Sequence, residues 1–230
     1  MLNDDELLAR LKTLSKPETA ATAARFGIMP RVAVYGIAVP ELRILAKQIG
    51  LDHRLANRLW SSGIHEGRIL ATMIEDVHLV SEEQLERWVR DFDSWDICDQ
   101  CCGNLFDRTP WAYQKATAWS AHEEEFVKRA AFSLIAYLAV HDKKALDSQF
   151  SQFLPIIQRE ANDPRNFVKK AVNWALRQIG KRNMFLNQQA IDTALILQGA
   201  GSSTARWVAN DALRELRSQA VQSRLIRKNS

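Results

Sequence analysis

The feature that most constrains this chain is a recurrence. Phe126-Val-Lys-Arg-Ala-Ala131 returns as Phe167-Val-Lys-Lys-Ala-Val172 after 41 residues, and more faintly as Trp207-Val-Ala-Asn-Asp-Ala212 after a further 40. A period near 40 is that of a two-helix hairpin, which cannot bury its apolar face alone and so must stack on neighbours. The expected fold class is therefore all-α: a curved solenoid, or α-α superhelix, of HEAT-like two-helix repeats. Repeat-like units stand out near residues 123–160, 165–198 and 203–219.

Local patterning agrees. Asn3 or Asp4 can cap a helix carrying Leu7, Leu8, Leu11 and Leu14, and Pro40 can start one carrying Leu42, Leu45, Ala46 and Ile49. Further helices are predicted near 17–26, 52–61, 65–76, 81–91, 94–106, 110–119, 123–140, 148–160, 165–180, 187–198 and 203–219, about a dozen in all. Only Val32-Ala-Val-Tyr35 alternates like a strand, and with Gly27, Pro30 and Gly36 around it a loop is the better reading. Gly and Pro are sparse and form no linker, so residues 1–230 are expected to be a single repeat domain.

No apolar run is long enough to span a bilayer, and Met1-Leu-Asn-Asp-Asp-Glu6 lacks the basic-then-apolar character of a signal peptide. A cytoplasmic location without membrane partners is expected. Cys98, Cys101 and Cys102 form an odd cluster that argues against a disulfide framework. With the five histidines scattered, small core residues are a better reading than a metal site, so neither metal nor cofactor is expected.

The net charge of +4 conceals an asymmetry. Residues 1–160 carry 19 Lys and Arg against 23 Asp and Glu, whereas residues 161–230 carry 12 against 4. Cations that meet phosphates release counterions, and aromatic rings among them can pack on sugars or bases. Asn166-Phe-Val-Lys-Lys-Ala-Val-Asn-Trp-Ala-Leu-Arg177 interleaves both kinds of residue on one helix. Lys170 and Arg177 flank Trp174 at −4 and +3 and so share its face; they are the first choices for phosphate contacts, with Lys169, Arg165 and Phe167 behind them.

In the acidic part, Ser94-Trp-Asp-Ile-Cys-Asp99 stacks Trp95 and Asp99 one turn apart on one helix face, with Asp96 directed elsewhere. An indole beside a carboxylate suits a cationic centre on a sugar. The ordinary alternatives are a core tryptophan, an exposed helix acid and, for Arg129, a side chain bridging successive repeats.

Together, Trp95, Asp99, Arg129 and Trp174 in their motifs, with Gly36-Ile-Ala-Val-Pro40-Glu-Leu-Arg43, make residues 20–220 resemble the AlkD-like DNA alkylation repair glycosylases. The resemblance implies a HEAT-like solenoid that clasps duplex DNA as a monomer and removes N3- and N7-alkylated purines without a deep base-flipping pocket. It also implies that Asp99 is the catalytic carboxylate, that Trp95 and Trp174 flank the damaged nucleotide, and that Arg129 assists. Phe26 stands where the family often has tyrosine, in Ala24-Arg-Phe26, and Ser94 where an aromatic can occur. Such a protein would associate with the nucleoid when bound to DNA. The competing expectations are a non-catalytic member that binds damaged or structured DNA, and a protein-binding HEAT scaffold.

Overall fold

A computed structural model describes residues 4–229, which form fifteen α-helices and two short 3-10 turns. They run α1 Asp4–Thr13, α2 Pro17–Ala23, α3 Val39–Ile49, α4 His53–Trp60, α5 His65–Ile74, α6 Glu82–Arg90, α7 Trp95–Asn104, α8 Ala112–Trp119, α9 Glu125–His141, α10 Asp147–Ser151, α11 Phe153–Glu160, α12 Asn166–Gly180, α13 Met184–Gln198, α14 Ser203–Leu216 and α15 Gln219–Asn229. The all-α expectation holds, and Val32–Tyr35 is a loop whose one sheet-like feature is an isolated bridge between Ala33 and Ile64. Asn3, offered as a cap for the first helix, lies outside the described residues.

The helices differ from the sequence expectations where local chemistry is subtle. The segment near 17–26 ends its α-helix at Ala23 and finishes as a 3-10 turn, Ala24–Phe26, stopped by Gly27 in the left-handed region. The segment near 148–160 is broken at Gln152 into α10 and α11. Helix α13 begins three residues earlier than expected because the Asn183 side chain accepts from the Leu186 N–H and caps it. Helix α15 was not anticipated: its sequence is mostly polar, and it is held through Val221 and Leu225, which are buried.

The chain divides into two compact units, Met1–Pro110 and Trp111–Ser230. In the first, α5 is the central element and packs against α1, α3, α4 and α7. Ile69, Leu70, Ala71 and Ile74 are buried along it, with the Trp60 and Trp88 rings stacked 3.9 Å apart nearby in the core. In the second, α9, α12 and α14 pack in sequence, while α8, α11 and α13 pack against them. The recurring segments lie on these three helices, opening α9 and α12 and falling in the middle of α14, so the period read from the sequence is the spacing of successive packed helices. Gly180 lets them approach: a Cβ there would come within 2.6 Å of Leu216 on α14 and 2.9 Å of Ala190 on α13.

Candidate nucleic-acid interface

In the first unit, the site residues lie at the start of α7. Ser94 is fully buried and extended (φ −150°, ψ 157°), so the chain turns into the helix at Trp95. Its hydroxyl does not cap the helix; it donates to Asp96 Oδ1 at 2.7 Å. The other Asp96 oxygen meets His65 Nε2 at 2.7 Å on buried α5. Burial disfavours the charge on both partners, but the pair outweighs it. The His65 pKa is raised, chiefly by Asp96 with help from Glu66 and Asp93, and the Asp96 pKa is lowered by His65 and Ser94.

Asp96 is thereby committed to the interior. One turn along, Asp99 is half-buried on the face it shares with Trp95, as the spacing predicts. Trp95 is also half-buried, and its indole Nε1 donates to the Phe26 carbonyl at 2.9 Å. That bond joins α7 to the 3-10 turn, whose Phe26 side chain is 68% exposed with Met29 close by in sequence and as open.

The loop between that turn and α3 is tied down by acids that the sequence reading passed over. Glu66, buried on α5, accepts from the backbone N–H groups of Tyr35, Gly36 and Ile37 at 2.9, 2.5 and 3.2 Å. Asp93 accepts from the Arg31 N–H at 2.7 Å, and the Ala33 carbonyl accepts from the His65 N–H at 2.8 Å. Gly36 has φ +76°, and a Cβ there would collide with the Lys16 carbonyl oxygen and come within 2.6 Å of the Ala20 nitrogen. A usable signal existed for Glu66. It precedes Ile69 and Leu70 by three and four residues, so it is an acid on the buried face of its helix, and buried charges are partnered.

In the second unit, Arg129 is buried on α9, and its Nη1 donates to the Phe167 carbonyl in the first turn of α12 at 2.7 Å. One repeat later, Asn173 Nδ2 donates likewise to the Val208 carbonyl of α14 at 3.0 Å. Arg129 therefore bridges successive repeats, whatever else it does. Trp174 is half-buried and meets the ring of Tyr137 edge-on, centroids 5.0 Å apart at 81°. Tyr137 was not singled out from the sequence, since it lies outside every matched motif.

The proposed phosphate contacts divide by their surroundings. Lys170 is exposed. Lys169 sits over the ring of Trp207 at 5.3 Å, a pairing the faint third repeat brings about. Phe167 packs on Phe126, centroids 5.6 Å apart. Arg165 is held by the Asp163 carboxylate and the Glu123 carbonyl. Arg177 pairs with Glu215 and lies 3.8 Å from Asp211.

The three cysteines are fully buried thiols, and burial pushes those of Cys101 and Cys102 well up, which suits inert core residues. Among the described residues, no group of three His, Cys, Asp or Glu side chains is placed to hold a metal ion, and no helix is long and apolar enough to cross a membrane.

No curated protein sequence matches the chain. Among solved structures it is similar to a protein described as belonging to a new family related to the HEAT-like repeat DNA glycosylases with affinity for branched DNA structures. The two are 20% identical with a TM-score of 0.77, over 93% of this chain and 96% of that one. At that identity the likeness establishes the HEAT-like repeat fold. A designed armadillo repeat protein in complex with a (KR)4 peptide is more distant, at 15% identity and a TM-score of 0.33 over 80% and 88% of the two chains. The family model described as DNA alkylation repair enzyme matches residues 7–216. With the match running from the first helix to the end of α14, this chain belongs to the DNA alkylation repair enzyme family.

Proposed function

We propose that the protein is a monofunctional DNA glycosylase that hydrolyses the N-glycosidic bond of cationic N3- or N7-alkylated purines in duplex DNA. The observation that carries this reading is that Asp99 and Trp95, both half-buried, share one face of α7. An alkylated purine is already positively charged and leaves as a neutral base, so no general acid is needed. The costly feature is the oxocarbenium character that develops on the deoxyribose. A carboxylate beside that carbon stabilises the charge and can orient or deprotonate the attacking water. The indoles of Trp95 and Trp174 add cation–π stabilisation of roughly 0.5–2 kcal/mol each. Arg129 assists at the same site, Lys170 supplies phosphate binding from α12 with Lys169 behind it, and the protein acts as a monomer in the cytoplasm, on the nucleoid when DNA-bound.

Purified protein incubated with methylated duplex should release free 3-methyladenine or 7-methylguanine, and Asp99→Asn should abolish release while leaving the helical spectrum unchanged. Undiminished release by that variant would remove Asp99 from the reaction. A second reading, binding of structured DNA without turnover, is favoured by the fold's likeness to a protein from a family with affinity for branched DNA. Salt-sensitive binding to junctions, with no base released from any alkylated substrate, would select it.

A further inference from the structure

Within the second unit, a cleft of about 600 Å³ opens at the C-terminal ends of α9 and α12, lined mostly by polar groups. Its cations are Lys143, Lys181, Arg182 and Arg224, with Gln178 and Asn183 between them; Asp147 is its one acid. The cations come from three places in the chain: the segment after α9, the turn between α12 and α13, and α15. None was chosen from the sequence as a binding residue. Arg129 lies ten residues before Ala139 on α9, about 15 Å along the helix axis from this end.

The cations are fixed to different degrees. Arg182 lies over the Phe150 ring at 4.0 Å and donates to the carbonyls of Ala139, Asp142 and Ala145 at 2.9, 2.9 and 3.2 Å. Burial lowers its pKa, with Tyr113, Asp147 and Asp142 offsetting part of that effect. Its guanidinium is thus built into the wall, where an added anion would relieve the cost of burying its charge. Lys181 is held by Glu215 at 2.6 Å, and Asp147 accepts from Asn183 at 2.8 Å. Lys143 and Arg224 are exposed. Asp147 keeps its charge and Lys181 is balanced by Glu215, so Lys143, Arg182 and Arg224 outnumber the acid and leave a concave, cation-rich cleft that can take a compact oxyanion.

We propose that this cleft binds phosphate, presented either by the backbone of a nucleic acid or as a free oligophosphate. The proposal does not depend on glycosylase activity. The test is calorimetric titration of the full chain with inorganic pyrophosphate at constant ionic strength, beside a DNA-binding titration over a salt series. Both use wild type and Lys143→Ala/Arg224→Ala, whose side chains are exposed and leave the Arg182 network in place.

The double variant should bind pyrophosphate on the order of tenfold more weakly. If the source is nucleic-acid backbone, the variant also binds DNA more weakly, with a shallower salt slope, and pyrophosphate competes with DNA. If the source is a free oligophosphate, DNA affinity is unchanged while pyrophosphate affinity falls. Equal pyrophosphate affinity in wild type and variant, or none in either, together with unchanged DNA affinity, overturns the proposal.

Discussion

The indole Nε1 of Trp95 donates to the backbone carbonyl of Phe26, residues 69 positions apart in the chain. The bond fixes the rotation of the ring that shares a face with Asp99, and its acceptor is main chain, indifferent to the identity of residue 26. Trp95→Phe keeps an aromatic face but leaves that carbonyl without its donor, at a cost of about 1 kcal/mol. Phe26→Ala removes an exposed side chain and keeps the bond. The expected result in urea unfolding is a lower midpoint for Trp95→Phe and an unchanged one for Phe26→Ala. A similar loss in both would mean that the Phe26 ring, rather than its carbonyl, holds the contact.

The loop leading to α3 should be the most substitution-sensitive part of the first unit. Gly36 combines a positive φ with backbone of α2 where a Cβ would go, so Gly36→Ala is expected to cost about 3 kcal/mol or more. Glu66→Gln retains the shape of the side chain but offers one acceptor oxygen, and turns an N–H toward backbone N–H groups that need acceptors. About 2–3 kcal/mol should be lost. Equilibrium unfolding measures both, and a Gly36→Ala protein as stable as wild type would contradict the geometry.

The His65–Asp96 pair predicts a pH window. His65 has a raised pKa in the folded protein, so its contribution is fully present below the unfolded value of 6.5 and is lost as pH rises through the folded one. Asp96 has a lowered pKa, so its contribution is present above 3.8 and is lost as pH falls through the folded one. Both act between about pH 4 and 6.5. The stability difference between wild type and His65→Gln should be greatest there and shrink on either side, with breakage of the pair costing roughly 3 kcal/mol. A difference that stays flat from pH 4 to 9 would show that the imidazole matters only as packing.

The fold was legible because its signal is redundant: every repeat restates the same apolar face, and Phe126, Phe167 and Trp207 mark successive packed helices. Boundaries set by a single group were less visible, as with the Asn183 cap of α13. In the site, the spacing of Trp95 and Asp99 and the diversion of Asp96 followed from helix geometry alone. What escaped was everything fixed by tertiary partners. Sequence spacing puts Arg177 on the face of Trp174 but cannot reveal Glu215, 38 residues later, and it cannot say that Glu66 would clasp a loop some thirty residues before it.

That distinction separates two cations that the sequence ranked together. Lys170 is exposed on α12, so Lys170→Ala should leave stability unchanged and, if the lysine meets a phosphate, reduce the salt slope of DNA binding by about one unit. Arg177 shares Glu215 with Lys181. Burial favours the neutral Glu215 carboxyl, but the two cations prevail and hold its pKa below the usual value. Arg177→Ala weakens that ion pair, and because the group is partly exposed the loss should be about 1 kcal/mol at neutral pH. It should vanish as pH falls through the lowered Glu215 pKa, where the carboxyl is protonated in both proteins. Unfolding curves at pH 7 and pH 3 read the stability term, and fluorescence anisotropy over a salt series reads the DNA term. An Arg177→Ala protein of wild-type stability with a shallower salt slope would reverse the assignment and return that arginine to the phosphate contacts.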